Sequence, residues 1–374
     1  MLDALRGAPE HVLSMEAAMS DLLSADYTLG TETLRNTYHL GVIKNAMNKQ
    51  LGSIVPDISD ETTKAFGDII GARVTDDRSL DSDSLFSGRN EDYCKINKLF
   101  TKHVVFGAVF INFFPGPLKK IAGAMFTRIS GLQKRMAHHI EPLIQARSKE
   151  VERKDDMLTW LIEAAPVEDK NSAEALALRI LNTFTHALLH LASKPEYLQP
   201  LRQELEEQFG DSLDVTTHQL ETFDKCLKLD SFLKESQRLS GLGAYGTMIP
   251  VGAIVGTIPP AIHADERYYK NADTFDGFRF SLNRGSNDAE QSDASLRLTG
   301  LGNTYLSFGG GRHACPGRFL ASVELKCMLS HVIAQYDVKM AEDGVRPPDD
   351  WFGPMCTPSA KAEVLFRRRR KGDL

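Results

Sequence analysis

Phe308-Gly-Gly-Gly-Arg-His-Ala-Cys315-Pro-Gly317 is the stretch on which the reading of this chain turns. It sets one cysteine in a glycine-rich turn that runs directly into Arg318 to Tyr336, where Leu325, Met328, Leu329, Val332 and Tyr336 recur at helical spacing on one stripe. A thiol at the start of a helix meets unpaired backbone N–H groups and the positive end of the macrodipole, and both favour the thiolate. The glycines let a large flat ligand approach the backbone closely. A buried structural cysteine beside a glycine turn is the plainer alternative.

Working outward, no Pro/Gly/Ser-rich linker divides the 374 residues, which predicts one domain over 1–374 with a flexible loop at 73–90 and a basic tail at 367–374. A net charge of −6 excludes a nucleic-acid partner as the main business of the surface. The five cysteines (Cys94, Cys226, Cys315, Cys327, Cys356) are odd in number and form no C-x-x-C pair. That argues for a reducing compartment and against a disulfide framework or a cysteine-based zinc site. The first residues, Met1-Leu-Asp-Ala-Leu-Arg-Gly, carry no apolar core of a signal peptide or anchor, which suggests a soluble cytoplasmic chain. Val104 to Phe114, the longest apolar run, is interrupted by Asn112 and stopped by Pro115, short of the ~20 residues a bilayer needs. It reads as a buried helix or as a membrane-facing or substrate-channel surface.

The periodicities predict a mainly α fold with a small β part. Helices are expected over Glu10–Ser24, Thr31–Leu51, Thr62–Ile70, Glu91–Phe113, Ile121–Arg147, Asp155–Ala165, Ala173–Ala192, Pro195–Phe209 and Phe223–Leu239. Strands are expected at Thr247–Ile258 and Ala362–Phe366. In Leu233-Lys-Glu235-Ser-Gln-Arg238-Leu239 the Glu and Arg stand three apart and share a helix face.

Together these motifs resemble the cytochrome P-450 haem-thiolate monooxygenases. Their cysteine loop reads Phe-x-x-Gly-x-(Arg/His)-x-Cys-x-Gly, and Phe308, Gly311, His313, Cys315 and Gly317 fill every fixed position. The resemblance implies a helical fold around haem b, with Cys315 as the axial iron ligand. It implies a cofactor-binding set of Phe308, Gly311, Arg312, His313, Cys315, Gly317 and Ala321, in which Phe308 shields the sulfur and His313 reaches a propionate. It also implies a buried structural triad of Glu235, Arg238 and Arg279, the last from Phe275-Asp-Gly-Phe-Arg279-Phe280. His263-Ala-Asp265-Glu-Arg-Tyr-Tyr269 and Cys315-Pro-Gly-Arg-Phe-Leu-Ala321 look like the fungal ent-kaurene-oxidase-like and indole-diterpene-tailoring branch.

The implied activity is insertion of one oxygen atom from O2 into a hydrophobic, terpenoid-like substrate. Electrons would come from NADPH through a flavoprotein reductase that docks near Arg312, Arg318 and Lys326 on a monomer. The family's location is the cytoplasmic face of the endoplasmic reticulum. Thr183 and Thr185 are the candidate catalytic hydroxyls. The helix that carries them lacks the family's central small-residue bend between Asn182 and Thr183. Shortenings also stand at 74–90 and 239–249, and with them goes an alternative: a non-catalytic haem-binding relic or regulatory protein.

Two decoys remain. Gly241-Leu-Gly243-Ala-Tyr-Gly246 matches a dinucleotide fingerprint but follows a helix and leads into a strand, the reverse of what that turn needs. His186 and His190 have the i,i+4 spacing of a helical metal site without the Glu of a zinc protease, and read as one surface and one core histidine.

Overall fold

The computed structural model describes residues 41–71, 79–80, 106–130, 174–210, 220–240, 259–282, 293–311, 314–342, 344–352, 355–359 and 361–369, with isolated positions before residue 30. The chain falls into two compact units, Met1–Arg6 with Leu51–Phe86 and Leu176–Leu374, and Gly7–Gln50 with Ser87–Ala175. In the second, a π-helical turn, Ile43–Met47, buries Ile43 and Met47. Residues 106–112 are helical there.

The first unit opens with α1, Leu51–Gly71. Its buried residues Leu51, Val55, Ser59, Thr62 and Phe66 are spaced by four or three, one stripe of a 3.6-residue period. The sequence reading began this helix at Thr62, and the structure begins it at Leu51 with Pro56 inside it. It runs through Pro56 because Leu51 and Val55 pack with Phe223, Val323 and Cys327 in one cluster. The edge strand β1, Ser79–Leu80, follows, so the expected loop at 73–90 holds a piece of sheet.

In the second unit α2, Gly116–Ser130, starts earlier than Ile121. The long α3, Glu174–Ser193, which falls in the first unit from Leu176 on, as do the elements after it, matches its forecast. A 3-10 turn, Pro195–Tyr197, leads to α4, Leu198–Phe209. The single helix expected over Phe223–Leu239 is two, α5 (Leu220–Lys225) and α6 (Leu227–Leu239), broken where Cys226 takes ψ 80. Short helices α7 (Pro259–His263), α8 (Arg279–Leu282) and α9 (Asp293–Leu296) precede α10, Arg318–Gln335.

Strand β2, Tyr336–Met340, continues from α10, and β3 (Asp350–Phe352) pairs antiparallel with β4 (Met355–Thr357). β5, Val364–Arg368, lies between β1 and β2 in an antiparallel sheet, with Val338 opposite Phe366. Arg367 and Arg368, counted in the expected basic tail, belong to the sheet, and Arg367 pairs with Asp337 at 2.7 Å; residues 370–374 lie outside the described residues. The expected strand at 247–258, the fingerprint-like glycines at 241–246 and the helices expected over 10–24, 31–40, 91–105, 131–147 and 155–165 lie wholly or mostly outside the described residues.

The core sits between α3, α4, α6 and α10. Phe184, Leu188 and Leu191 of α3 meet Leu201 and Leu205 of α4, Phe232 and Leu233 of α6, and Leu325, Leu329 and Val332 of α10. Each side chain of this size taken from water contributes about 1.5–3 kcal/mol. Of the stripe read from sequence, Leu325, Leu329 and Val332 are buried on α10, Tyr336 is buried at the start of β2 and Met328 is half-buried, but Val323, Lys326, Cys327, Ser330 and Ile333 are buried as well. It is an interior helix, covered on most sides.

Candidate functional site

α6 is buried from Leu229 to Arg238, charged residues included, so each charge needs a partner. Arg238 lies flat against Glu235, with Nε to Oε2 and Nη2 to Oε1 both at 2.8 Å, the bidentate fork that i,i+3 spacing allows. Both side chains are fully buried. Arg238 Nη1 also donates to the carbonyls of His263 and of Ala272, the latter at 2.7 Å. Arg279 completes the group from α8: its Nε lies 3.1 Å from each Glu235 oxygen, and its Nη1 donates to the Lys270 carbonyl at 2.6 Å. One carboxylate thus holds two guanidiniums, and the Asp276 N–H reaches it at 3.1 Å. Gly277 permits the approach, since a Cβ there would lie 2.7 Å from the Phe232 ring.

From this triad a relay leads to the cysteine loop. His263 Nδ1 lies 2.8 Å from the Arg238 carbonyl, and its Nε2 accepts the Leu306 N–H at 3.0 Å. An N–H arriving at Nε2 leaves the proton on Nδ1, which donates to Arg238, so the ring is neutral. Burial, with the charge of Arg238 adding, pushes the His263 pKa down to about 4. Beside it Tyr305 donates to Gln237 Oε1 at 2.7 Å, which ties the approach to the loop to α6 a second time.

Two residues past Leu306 the loop begins. Gly309 and Gly311 have φ of 70° and 58°, in the region where a Cβ would clash, and they reverse the chain. The Phe308 carbonyl then accepts the Cys315 N–H at 2.8 Å and closes the turn. Gly317 is the N-cap of α10, and the Ala321 N–H donates to its carbonyl at 3.0 Å. Phe308 is buried in the core; the half-buried Cys315 packs against that core and makes no side-chain hydrogen bond among the described residues. Arg318 Nη1 caps the Cys315 carbonyl at 3.0 Å, its guanidinium over the Phe319 ring.

The sequence model of the family Cytochrome P-450 matches residues 42–366. The chain belongs to the cytochrome P-450 family. Cytochrome P-450 monooxygenase 110 of Postia placenta is 32% identical over 424 aligned positions, covering 99% of this chain and 82% of the relative. The alignment exceeds the 374 residues of this chain, so the relative carries segments with no counterpart here. Cytochrome P-450 monooxygenase prx8 of Penicillium rubens is 29% identical, covering 99% and 77%. The solved structure of a retinoic-acid-bound cyanobacterial CYP120A1 superposes with a TM-score of 0.66 at 17% identity, covering 94% of this chain and 83% of that one, which speaks for the fold.

Membership makes the chain a monooxygenase and implies haem iron held by a cysteine. For a cytochrome P-450 the described loop fits: a soft sulfur donor without a side-chain partner stands at a helix start, beside glycines that leave room for a flat ring. The structure brings Glu235, Arg238 and Arg279 together, and sets Phe308, Gly311, Cys315, Gly317 and Ala321 in one turn and its helix start. Arg312 and His313 lie outside the described residues, as does the Thr183 side chain. Thr185 is buried on α3.

Two readings are corrected. Lys326 is not a surface docking residue: it is buried, 2.7 Å from Asp230 and 3.2 Å from the Phe223 carbonyl. His186 and His190 are both buried, neither at the surface. Sequence reasoning missed His263 as the link between triad and loop; its role depends on carbonyl and amide groups that every residue carries. No helix among the described residues is long and apolar enough to cross a membrane.

Proposed function

We propose that this chain holds haem iron through Cys315 and inserts one oxygen atom from O2 into a hydrophobic substrate, with electrons passed from NADPH by a flavoprotein reductase. The observation that carries the reading is the Cys315 turn, closed on the Phe308 carbonyl at 2.8 Å and tethered through His263 to a triad in which Glu235 meets two arginines. When bound, the haem would supply oxygen activation, with thiolate donation favouring O–O cleavage. The protein supplies position and shielding. Phe308, buried in the core against which Cys315 packs, is assigned to shielding the sulfur, and Gly309 and Gly311 carry no side chain in the turn. His313 is assigned to a propionate, Arg312 to the cofactor-binding set, and Thr183 and Thr185 to supplying a hydroxyl. Arg312 and Arg318 remain the basic candidates for reductase docking. The substrate class, a terpenoid or related secondary metabolite handled by a monomer, follows from the resemblance of the motifs to the fungal diterpene-oxidising branch.

The carbon monoxide difference spectrum of the reduced, purified protein tests the ligand: a thiolate-type band in the wild type and none in Cys315→Ser is the expected pair. Identical spectra, or no haem in the wild type, overturn the assignment. Substrate-dependent NADPH consumption with an added reductase tests turnover, and a haem protein without it would be the non-catalytic relative.

A further inference from the structure

We propose that His186, Asp349 and Cys356 form a binding site for a borderline-soft divalent cation of the zinc class, separate from the Cys315 loop. Their ligand atoms, one nitrogen, one oxygen and one sulfur, all lie within 4.8 Å of one another. His186 Nδ1 stands 3.4 Å from Asp349 Oδ1, and Cys356 Sγ stands 3.6 Å from Asp349 Oδ2. Zinc–ligand bonds of about 2.0–2.3 Å set tetrahedral neighbours roughly 3.4–3.7 Å apart; the two measured separations fall in that range but run to different oxygens of Asp349, so a small turn of its carboxylate would bring one oxygen to both partners.

The same place already holds a cation. Arg346 Nη2 donates to His186 Nδ1 at 3.0 Å and to Asp349 Oδ1 at 2.6 Å. Because a guanidinium only donates, Nδ1 presents its lone pair inward, as a metal ligand would. That leaves the proton on His186 Nε2, which is buried and unpartnered, as are both ring nitrogens of His190 one turn along α3. Polar atoms left in this state cost free energy, so the interior beside the three ligand atoms is polar and incompletely satisfied. The route in is a cavity of about 520 Å³ lined by His190, Lys194, Asp273, Arg346 and Asp349, into which the displaced Arg346 head can turn.

Occupied, the site would clip the β3–β4 hairpin, which carries Cys356 and begins beside Asp349, onto α3. The test exposes the full haem-loaded chain to buffered zinc, removes the excess by gel filtration and measures zinc per chain together with the thermal midpoint. One retained zinc and a raised midpoint are expected for the wild type. Arg346→Gln, which removes the competing cation, should retain zinc at a free concentration at least about tenfold lower, and Cys356→Ser should need at least about tenfold more. Loss of zinc from both the wild type and Arg346→Gln overturns the proposal, and so does equal retention by Cys356→Ser.

Discussion

Glu235 is the residue whose loss would be felt most widely, because two buried guanidiniums share its carboxylate. Glu235→Gln keeps the shape and removes the charge, leaving both arginines uncompensated. The expected cost is about 3–5 kcal/mol, read from urea denaturation, with haem content falling alongside. Gly311, at φ 58°, tests the loop by itself. Gly311→Ala should add about 1–2 kcal/mol of local strain and weaken haem retention while the global denaturation midpoint moves less than in Glu235→Gln. At this scale much was legible. Glu235 and Arg238 announce themselves by i,i+3 spacing and Arg279 by its order in the chain, whereas His263 acts through backbone groups that carry no sequence mark.

Helices are where the reading of single residues met its limit. The apolar stripe of α10 predicted one covered face, yet the helix is buried on most sides because α1 lies against Val323 and Cys327 as well. That second cover turned Lys326 from a surface cation into an interior staple between α10 and the Asp230 carboxylate of α6. Lys326→Met should therefore strand a buried Asp230 and lower stability by about 3–5 kcal/mol in denaturant titration. A docking residue would instead raise the KM for reductase at unchanged stability, and that outcome would restore the surface reading. Pro56 shows the same override in α1, where a local stop signal yields to the burial of Leu51 and Val55.

For the molecule as a whole, titration of buried groups sets the stability against acid. Burial pushes His263 and His331 each down to about 4, from an ordinary value near 6.5. The unfolded chain therefore binds protons first. The contribution of these rings to stability is complete above about pH 6.5 and is lost as pH falls toward 4. Glu324, pushed up to about 7 by burial, opposes them, since its folded state takes up a proton before its unfolded one. Urea midpoints measured from about pH 7 to about pH 5 should fall with pH, and more steeply in Glu324→Gln than in the wild type. The helical character and the cysteine turn were readable from local pattern. The antiparallel pairing of β1 with β5 was not, because a two-residue edge strand holds too few side chains to show an alternation.

The turn between Phe308 and Cys315 has its place written twice. Left-handed glycines shape it from within, and hydrogen bonds from α6 through His263 and Tyr305 hold it from outside. Redundancy of this kind degrades gracefully: a change that spoils one set of constraints leaves a turn that the other still approximates. Lineages that shed segments elsewhere in the chain could keep this one recognisable long after the surrounding architecture had drifted.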